Sequence, residues 1–537
     1  MPVSRGATQR CRIVRACMGA AQVWSPGVER QAPCTFMICL GGASKLLSEN
    51  TFYSGCLRVW PHFFPGAMLG AAAGGWYCVV CAGAAALACF ATRLNRAWLS
   101  PAIAGLRCPS MQKGRILCLT SNFPRWAGDA STPFVLHLAQ DLQALGWQVD
   151  VLAPHASGAQ RAEVIDGVRV ERFRYLWPAR QQTVCYQGGA LVNLRRYPLN
   201  KLKLPALVAA QILTTVRRLR KVHYDLMHSH WILPQGFTGM LARRIQPIPH
   251  VLTVHGGDIF GLKGELMAGF KRVSLRDADA VTVNSSATAQ AVHRVAPGVR
   301  RMARIPMGVS VRPLDARQIA LASQIRARHR LGTGPLLLFI GRLVGEKGVE
   351  DLLLATHRLR QHRPGVRTLI VGEGPERPAL EQLATRLGGP GMVTFSGWVE
   401  PADIPAYLHA ADIFIAPSRT AADGWIEAQG LTILEAMAAK TPVIATRCGG
   451  IVDAVRDEAT GLLVDERAPE QIVTAIERIV YDANLRQRIT ANAVTGVQSR
   501  FSRESSATAF SELFAQLIEQ RPPGWSGRPH RTQRRSQ

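Results

Sequence analysis

The feature that most constrains the fold of this chain is an alternation of short apolar runs with helix-like segments, which occurs twice. The first series has an apolar run at 116–120, a helical pattern over 134–145 that ends at Gly146, and a second run at 149–153. The second series begins with the run at 336–340. Such runs, bounded by turn residues, are typical of buried strands, and their alternation with helices is typical of parallel sheets. We therefore predict an α/β fold in which two Rossmann-like, doubly wound domains face a cleft.

The remaining strands and the domain boundaries follow from the same pattern. Predicted strands of the first series lie at 226–229, 250–254, 280–283 and 304–306. Those of the second series follow a basic helix over 316–329 and lie at 368–371, 393–396, 413–416, 443–445 and 461–464. A chain of 537 residues is too long for one core. We predict four parts, which are an atypical leader (1–110), an N-terminal domain (111–310), a C-terminal domain (311–520) and a disordered basic tail (521–537).

A glycine-rich turn follows the first strand of the second series. Gly341 opens this turn, and Arg342 and Lys347 stand in it five positions apart. Backbone N–H groups, a guanidinium and an ammonium together suit a diphosphate, whose negative charge is spread over several oxygens. The turn is therefore a candidate diphosphate-binding loop.

Two glutamates further along the chain complete the pattern. Glu427 and Glu435 are separated by eight positions, and the second lies in a helix-forming run. Carboxylates in such positions can accept hydrogen bonds from sugar hydroxyls. A basic diphosphate clamp with two hydroxyl-binding acids describes a site for a sugar nucleotide.

This ordered set of segments resembles the retaining glycosyltransferases of family 4, which have the GT-B fold. The resemblance covers Gly114 to about Val464. It implies that Arg342 and Lys347 hold the diphosphate of a nucleotide sugar. It also implies an N-terminal half that carries the acceptor side.

The resemblance assigns roles to three further side chains. It places Glu427 beside the donor sugar and Glu435 on the nucleotide ribose. His255 ends a predicted strand in the segment Thr-Val-His-Gly-Gly-Asp, so its side chain is expected in the cleft. Its counterpart in the family lies by the donor sugar. A loop histidine that caps local backbone is the alternative interpretation of His255.

Backbone groups are also implied in donor binding. Gly128 lies in the loop after the first strand, where family members bring a glycine to the donor phosphate. Gly341 belongs to the diphosphate loop, and the N–H groups of Gln429, Gly430 and Leu431 are expected to hold the sugar and diphosphate. The chain reads Glu-Ala-Gln-Gly at 427–430 where Glu-Gly-Phe-Gly is commoner, so the donor sugar stays open.

Two motifs could suggest a metal, but neither is interpreted as a metal site. His228 and His230 form a His-x-His pattern without a nearby third ligand, and His230 is interpreted as an acceptor-cleft residue, with structural packing as the alternative. Asp277 and Asp279 form an Asp-x-Asp pattern that ends a helix and leads into a strand. We therefore predict no metal and no cofactor. The leaving diphosphate would be neutralised by cationic side chains and helix N-termini.

The predicted function is transfer of a sugar, with retention, from a UDP-type or GDP-type nucleotide sugar to a glycan or lipid-linked acceptor. Polysaccharide or glycolipid biosynthesis is the expected context. One alternative is a non-catalytic scaffold that binds sugar nucleotides, although the complete set of Arg, Lys and Glu residues argues against it. Another is a nicotinamide-dependent dehydrogenase, but the Gly-x-Gly-x-x-Gly turn that it requires is absent after the first strand of either series.

Charge and cysteine content limit the partners and the compartment. The formal net charge of +27 favours anionic lipid surfaces or anionic substrates, or reflects a composition that favours Arg. The sequence contains no nucleic-acid-binding fingerprint, so no nucleic acid is expected. After residue 110 only Cys118, Cys185 and Cys448 occur, without metal spacing. We expect a cytoplasmic protein, with peripheral attachment at the inner face of the membrane as an alternative.

The first 110 residues differ in composition from the remainder. They contain nine of the twelve cysteines and no aspartate. Residues 68–91 are apolar over a length that could span a bilayer. Met111 begins a segment that resembles the natural start of a GT-B enzyme. A mis-assigned upstream start is therefore the preferred interpretation of the leader, and a membrane anchor at 68–91 is the alternative.

Overall fold

The computed structural model describes residues 113–129, 133–186, 189–329, 334–389 and 391–520, and four short strands before residue 78. Those short strands form two antiparallel pairs, in which Cys39–Leu40 pairs with Ala43–Ser44 and Gly70–Ala72 with Gly75–Tyr77. The remainder of 68–91 and the predicted tail over 521–537 lie outside the described residues. Within the described ranges, no helix has both the length and the apolar character needed to span a membrane.

The first sheet belongs to the N-terminal half, which we define as residues 113–304. Its strands are β1 (Gly114–Leu119), β2 (Trp147–Pro154), β3 (Ala162–Ile165), β4 (Val168–Phe173), β5 (Leu226–His230), β6 (His250–Val254), β7 (Ala280–Val283) and β8 (Met302–Arg304). They lie in the order β8-β7-β6-β5-β1-β2-β4-β3. Every neighbouring pair is parallel except β3 and β4, which are antiparallel. The predicted strand at 304–306 lies two residues earlier in the structure, as β8.

The helices of the N-terminal half cover the sheet on both faces, as parallel strands require. They are α1 (Pro133–Ala144), α2 (Ala190–Arg196), α3 (Leu204–Lys221), α4 (Phe237–Ile245), α5 (Gly257–Gly261), α6 (Glu265–Asp277) and α7 (Ser286–Val295). Short 3₁₀ turns occupy Ala179–Gln181 and Pro198–Lys203. The hydroxyl of Ser285 caps α7 by accepting a hydrogen bond from Thr288 N, which satisfies one of the free N–H groups of its first turn.

The C-terminal half, residues 316–500, contains a fully parallel six-stranded sheet. Its strands are β9 (Leu336–Ile340), β10 (Arg367–Val371), β11 (Val393–Gly397), β12 (Ile413–Ala416), β13 (Val443–Thr446) and β14 (Leu462–Val464), in the order β11-β10-β9-β12-β13-β14. Its helices are α8 (Ala316–His329), α9 (Val349–Arg360), α10 (Arg377–Gly388), α11 (Ile404–Ala410), α12 (Leu431–Ala438), α13 (Ile451–Ala454), α14 (Pro469–Tyr481) and α15 (Ala483–Arg500). The predicted α/β architecture with two doubly wound sheets is therefore confirmed.

The last helix, α16 (Arg503–Glu519), returns to the N-terminal half. Phe514 packs edge-on against Trp147 with ring centroids 5.9 Å apart, and Trp147 Nε1 donates to Ser511 Oγ at 2.9 Å. The Arg503 guanidinium forms an ion pair with Asp141 at 2.7 Å. The chain therefore passes between the two halves twice, once before α8 and once before α16.

Candidate active site between the two sheets

The predicted diphosphate loop connects β9 to α9 and is held by a second glycine-containing loop. Leu343 N donates to Glu373 O at 3.0 Å, and Glu376 N donates to Leu343 O at 3.1 Å. Gly372 has φ +133°, and a side-chain carbon at this position would overlap the carbonyl oxygen of Gly341. Only glycine lets the two loops approach so closely. The Gly-x-Gly segment at 372–374 therefore fixes the shape of the loop that carries Arg342.

The two cationic side chains of this loop differ in their ion pairing. The Arg342 side chain is exposed and makes no ion pair with any residue that the structure describes. The Lys347 ammonium, in contrast, forms an ion pair with the Glu427 carboxylate. The residue predicted to bind the diphosphate and the residue predicted to bind the sugar are therefore in direct contact with each other.

Glu427 is kept ionised although its carboxylate is mostly buried. Burial raises the pKa of this group. The Lys347 ammonium and the backbone N–H groups of Gln429 and Gly430 together lower it by more than burial raises it, so the pKa lies below its usual value. Two of the N–H groups that were predicted to hold the donor are thus directed at Glu427 in this structure. The loop over 427–430 is a compact anion-binding turn.

Two glycines, Gly449 and Gly450, pack closely against the backbone of this turn. Gly450 N donates to Glu427 O at 2.8 Å. A side-chain carbon on Gly449 would overlap Glu427 O, and one on Gly450 would overlap Ala428 O. The Gly-Gly pair after β13 is therefore needed to position the backbone of Glu427.

Leu431 is the first residue of α12, whose capping residue Gly430 has the left-handed conformation, φ +76°. Glu435 lies one turn further along the same helix, partly buried. It forms no ion pair or side-chain hydrogen bond with a described residue, and burial raises its pKa to about 7. This carboxyl group is available to accept hydrogen bonds from an incoming hydroxyl.

Gln429 joins this loop to the segment between the halves. Its Nε2 donates to Met307 O at 2.7 Å, and its Oε1 accepts from Met307 N at 3.1 Å. The side chain is buried. The sequence predicted a role for the backbone of Gln429 but not for its side chain.

The carboxyl ends of the two sheets meet at Gly256 and Ala428. Gly256 follows β6 with φ +104°, and a side-chain carbon there would overlap the Ala428 side chain. His255 and Glu427 are the neighbours of these two residues in sequence. The structure therefore brings the predicted catalytic residues of both halves to one place.

His255 is half-buried and lies against two buried histidines, His228 and His230. Its Nε2 is 2.9 Å from Nδ1 of His230, and the two rings stack with centroids 5.2 Å apart. His228 lies behind them and binds Thr253 Oγ1 through Nε2 at 2.7 Å. Burial lowers the pKa of His255 and of His228 to about 3, and that of His230 well below its usual value. All three imidazoles are therefore neutral at physiological pH.

Gly128 and the two aspartates of the Asp-x-Asp pattern have other surroundings. Gly128 has φ +82° in the exposed loop after β1, and an added side-chain carbon would meet nothing within 4 Å. Asp279 accepts from His250 N at 2.9 Å and pairs with Arg243 at 3.0 Å, and Asp277 also lies beside Arg243. The Asp-x-Asp carboxylates therefore bind structural partners. Across the described ranges, no three His, Cys, Asp or Glu side chains are grouped as a metal site requires.

A further contact between the halves was not predicted. The Asp453 carboxylate on α13 accepts from both the backbone N–H and the hydroxyl of Ser286, the first residue of α7. Arg304 is 3.6 Å from the same carboxylate. A carboxylate at a helix N-terminus is favourably placed. This contact links the two halves near the edge of the site.

Comparisons with known proteins identify the family of this chain. The family described as glycosyl transferases group 1 matches residues 322–495, and the glycosyl transferase 4-like domain matches residues 130–308. A GDP-mannose-dependent alpha-(1-6)-phosphatidylinositol monomannoside mannosyltransferase from Mycolicibacterium smegmatis is 32% identical over 49% of this chain and 68% of its own length. A D-inositol 3-phosphate glycosyltransferase from Salinispora arenicola is 31% identical over 55% of this chain and 69% of its own length.

The Mycobacterium tuberculosis protein with the same description as the first relative is 36% identical over 33% of this chain, which spans only 46% of that relative. Among solved structures, sucrose-phosphate synthase from Thermosynechococcus elongatus is 25% identical with a TM-score of 0.61, covering 75% of this chain and 99% of the other. Anabaena HepE in complex with UDP-glucose is 21% identical with a TM-score of 0.56, covering 75% and 100%, and shares the fold.

Proposed function

This chain belongs to the group 1 glycosyltransferases of the GT-B fold, and we propose from that premise that it moves a sugar from a nucleotide-sugar donor to an acceptor hydroxyl. The proposed donor is a UDP or GDP sugar, the proposed acceptor is a glycan or a lipid-linked glycan, and the proposed outcome is retention at the anomeric carbon. The catalytic side chains of this proposal are His255, Arg342, Lys347 and Glu427.

The single observation that carries the proposal is the Lys347–Glu427 ion pair beside the unpaired Arg342. An ionised, mostly buried carboxylate and two cations within one pair of loops fit a ligand that has both hydroxyls and a diphosphate. Donor binding would insert phosphate oxygens between Arg342 and Lys347 and sugar hydroxyls at Glu427. The complete set of Arg342, Lys347 and Glu427 argues against a scaffold without catalysis.

The proposed reaction takes place on one face of the donor sugar. The bond between the anomeric carbon and the diphosphate oxygen breaks as the acceptor oxygen bonds to the same carbon, and the acceptor proton passes to the departing phosphate. Negative charge grows on the diphosphate during this step. Arg342, Lys347 and the N-terminal end of α12 would stabilise that charge, so the protein contributes orientation and electrostatics.

His255 would position the donor sugar as a neutral group. Because its imidazole is uncharged and bound to His230, one ring nitrogen is already engaged and the other is left for a ligand. Glu435 would bind the ribose hydroxyls. The backbones of Gly128, Gly341, Gln429, Gly430 and Leu431 are proposed as donor contacts.

The relatives support both donor bases and a membrane-linked context. One is described as using GDP-mannose on a phosphatidylinositol monomannoside, and HepE is solved with UDP-glucose. For this chain we propose a place in polysaccharide or glycolipid biosynthesis, in the cytoplasm, with peripheral attachment at the inner face of the membrane as the alternative. We propose the domain organisation that the sequence predicts, which is a leader (1–110), an N-terminal domain (111–310), a C-terminal domain (311–520) and a basic tail (521–537).

A two-stage experiment tests this proposal. Thermal unfolding is measured with UDP, GDP, ADP and their sugar conjugates, and the stabilising nucleotide identifies the donor base by mass action. Release of free nucleoside diphosphate is then measured with and without acceptor. Binding without acceptor-dependent release would support a scaffold. Stabilisation by none of these nucleotides would contradict the proposal. Arg342→Ala should weaken the stabilisation by the nucleotide. Arg386→Ala, a change of an exposed arginine on α10, serves as its matched control.

A further inference from the structure

The segment from Arg174 to Lys221 has an unusual charge. Its 48 residues contain ten lysines and arginines and no aspartate or glutamate, against a net charge of +27 for the whole chain. Seven of the ten form neither an ion pair nor a side-chain hydrogen bond with any residue that the structure describes, namely Arg174, Arg180, Arg196, Lys201, Arg217, Arg220 and Lys221. Cations that have no partner within the chain are free to bind an anionic partner from outside it.

Large apolar side chains lie exposed within the same segment. Trp177 is 81% exposed, Leu199 77% and Leu202 79%, while Tyr197 and Leu213 are more than half exposed. Single exposed apolar residues are common. Here five of them occur among unpaired cations, so one stretch of chain has both exposed apolar side chains and unpaired positive charge. We define these five side chains and the seven cations as the docking surface.

The fold holds the two parts of this surface together. Thr183 Oγ1 donates to Asn200 Oδ1 at 2.9 Å, and Lys203 Nζ donates to Thr183 Oγ1 at 2.9 Å. Asn200 is buried, whereas its neighbours Leu199 and Lys201 are exposed. The 3₁₀ turn over 198–203 is therefore anchored by its polar residue and presents its apolar and basic residues to solvent.

The adjoining helix α3 continues the pattern along one face. Its exposed positions Pro205, Ala209, Leu213 and Arg217 are spaced by four, which places them on one side of the helix. The first three are apolar, and the basic residues at the C-terminal end of α3, including Arg220 and Lys221, follow them. The opposite face, with Leu207 and other buried residues, packs on the sheet.

The docking surface adjoins the candidate active site. Arg195, at the end of α2, forms an ion pair with Asp423 at 3.0 Å. Asp423 lies in the loop of the C-terminal half that leads directly into Glu427. A partner on the docking surface would therefore be close to the side of the site where the two halves meet.

From this geometry we infer that the docking surface binds an anionic lipid bilayer, with Trp177, Leu199 and Leu202 inserted into the interface and the cations on the headgroups. Exposed indole and leucine side chains suit the headgroup boundary, and basic side chains suit its negative potential. An exposed indole and two exposed leucines among unpaired cations favour a bilayer interface over an acidic protein partner. The consequence for catalysis rests on the proposed function, because the bilayer would then present a lipid-linked acceptor at the mouth of the site.

The test measures co-sedimentation of the full chain with vesicles of phosphatidylcholine, or of phosphatidylcholine with one third phosphatidylglycerol. We expect binding to the anionic vesicles that weakens as salt rises. Trp177→Ser/Leu199→Ser/Leu202→Ser should weaken this binding at least about tenfold, because it removes the inserted apolar area. Arg196→Glu/Lys201→Glu/Arg217→Glu should weaken it at least about tenfold, since each cation near an anionic surface contributes about fivefold.

Matched controls use residues of the same type elsewhere on the surface. Trp398→Ser/Tyr481→Ser removes exposed aromatic rings, and Arg294→Glu/Arg386→Glu/Arg488→Glu changes the net charge equally. Both should change vesicle binding by less than about twofold. Vesicle binding that is equal in both docking-surface variants and in the unmodified protein would overturn the inference and assign binding to another part of the chain.

Two further readouts separate the remaining outcomes. A dimer in solution that the docking-surface variants dissociate would overturn the inference in favour of a second copy of the chain. Release of nucleoside diphosphate with a water-soluble acceptor should be unchanged in all variants, because none of the substituted residues belongs to the proposed site. If that release is absent in the unmodified protein while vesicle binding responds as expected, the proposed function fails and the docking surface stands.

Discussion

Gln429 binds both polar groups of the Met307 backbone through one side-chain amide, donating at 2.7 Å and accepting at 3.1 Å. The two residues are separated by 122 positions, and the contact joins the loop of Glu427 to the segment between the halves. A carboxylate or an apolar group at position 429 cannot replace both bonds. The amide therefore sets the distance between the loop of Glu427 and that segment.

Gln429→Leu should destabilise the protein by about 2 kcal/mol, because it leaves the buried N–H and C=O of Met307 without partners. Urea unfolding measures this change, and donor KM should rise with it because the loop of Glu427 loses its support. Gln318→Leu is the matched control, since Gln318 binds Ala402 O at 2.8 Å from an exposed position. A loss below about 0.5 kcal/mol at Gln429, as expected for the control, would contradict this role.

Lys347→Ala should lower kcat by about 100-fold or more while the protein stays folded. The ammonium is expected to stabilise charge that develops on the departing diphosphate, and loss of one such preorganised group costs about 3 kcal/mol. Steady-state kinetics and thermal unfolding measure the two effects. Arg386→Ala, at an exposed site on α10, should leave kcat unchanged. Near-normal turnover of the Lys347 variant would remove this residue from the site.

Glu435 should make the stability of the unliganded protein depend on pH. Burial raises its pKa from 4.5 to about 7, so the folded state favours the protonated form. This contribution is fully present below pH 4.5 and is lost as the pH rises through about 7. The free energy of urea unfolding of the unmodified protein, relative to Glu435→Gln, should therefore fall over this range. A constant difference would show that Glu435 ionises normally.

His255 should produce the opposite pH dependence. Burial lowers its pKa from 6.5 to about 3, so its contribution to stability is present above pH 6.5 and is lost as the pH falls. Between about pH 7 and pH 5 this group accounts for up to about 2 kcal/mol of the loss of stability. His255→Gln should reduce the acid sensitivity by that share in urea unfolding. NMR of the ring nitrogens should show a neutral imidazole at pH 5.

Chelation by EDTA should leave the transferase activity intact. Asp277 and Asp279 are bound to Arg243, and the cationic side chains of the proposed site would neutralise the diphosphate without a metal. Product release is measured before and after EDTA treatment and after addition of manganese. Complete loss that manganese restores would revive the Asp-x-Asp motif as a metal site.

The strands that were predicted most accurately are those buried on both faces. The strands at 280–283, 336–340 and 413–416 begin and end where the sequence predicted, because a parallel strand between two helix layers is a continuous apolar run. The strand at 302–304 is partly exposed and only three residues long, so its apolar pattern is too weak to fix its bounds. Burial on both faces therefore determined how well a strand could be predicted.

The antiparallel hairpin of β3 and β4 was missed although the sequence signals it. Asp166 and Gly167 both have positive φ, 46° and 84°, between two strands that alternate in burial. An Asp-Gly pair between alternating residues is a strong hairpin signal. The surrounding series indicates only parallel strands, so this hairpin is not among the predicted strands.

The contacts that assemble the site could not be predicted from one sequence. The Lys347–Glu427, Gln429–Met307 and Ser286–Asp453 contacts join residues that are 80, 122 and 167 positions apart. Motif spacing identifies which residue types are present within one loop. It does not determine how the two sheets are placed against each other.

The two passages of the chain between the halves run side by side. Val309 N donates to Phe501 O at 2.8 Å and Arg503 N donates to Val309 O at 3.1 Å, so the passage before α8 is paired with the passage before α16. A side-chain carbon on Gly308 would overlap the backbone of Ser502 and Arg503. One connecting segment would allow the halves to swing and twist about a point. Two segments bonded along a line leave a single axis of rotation, and the width of the cleft becomes a function of one angle.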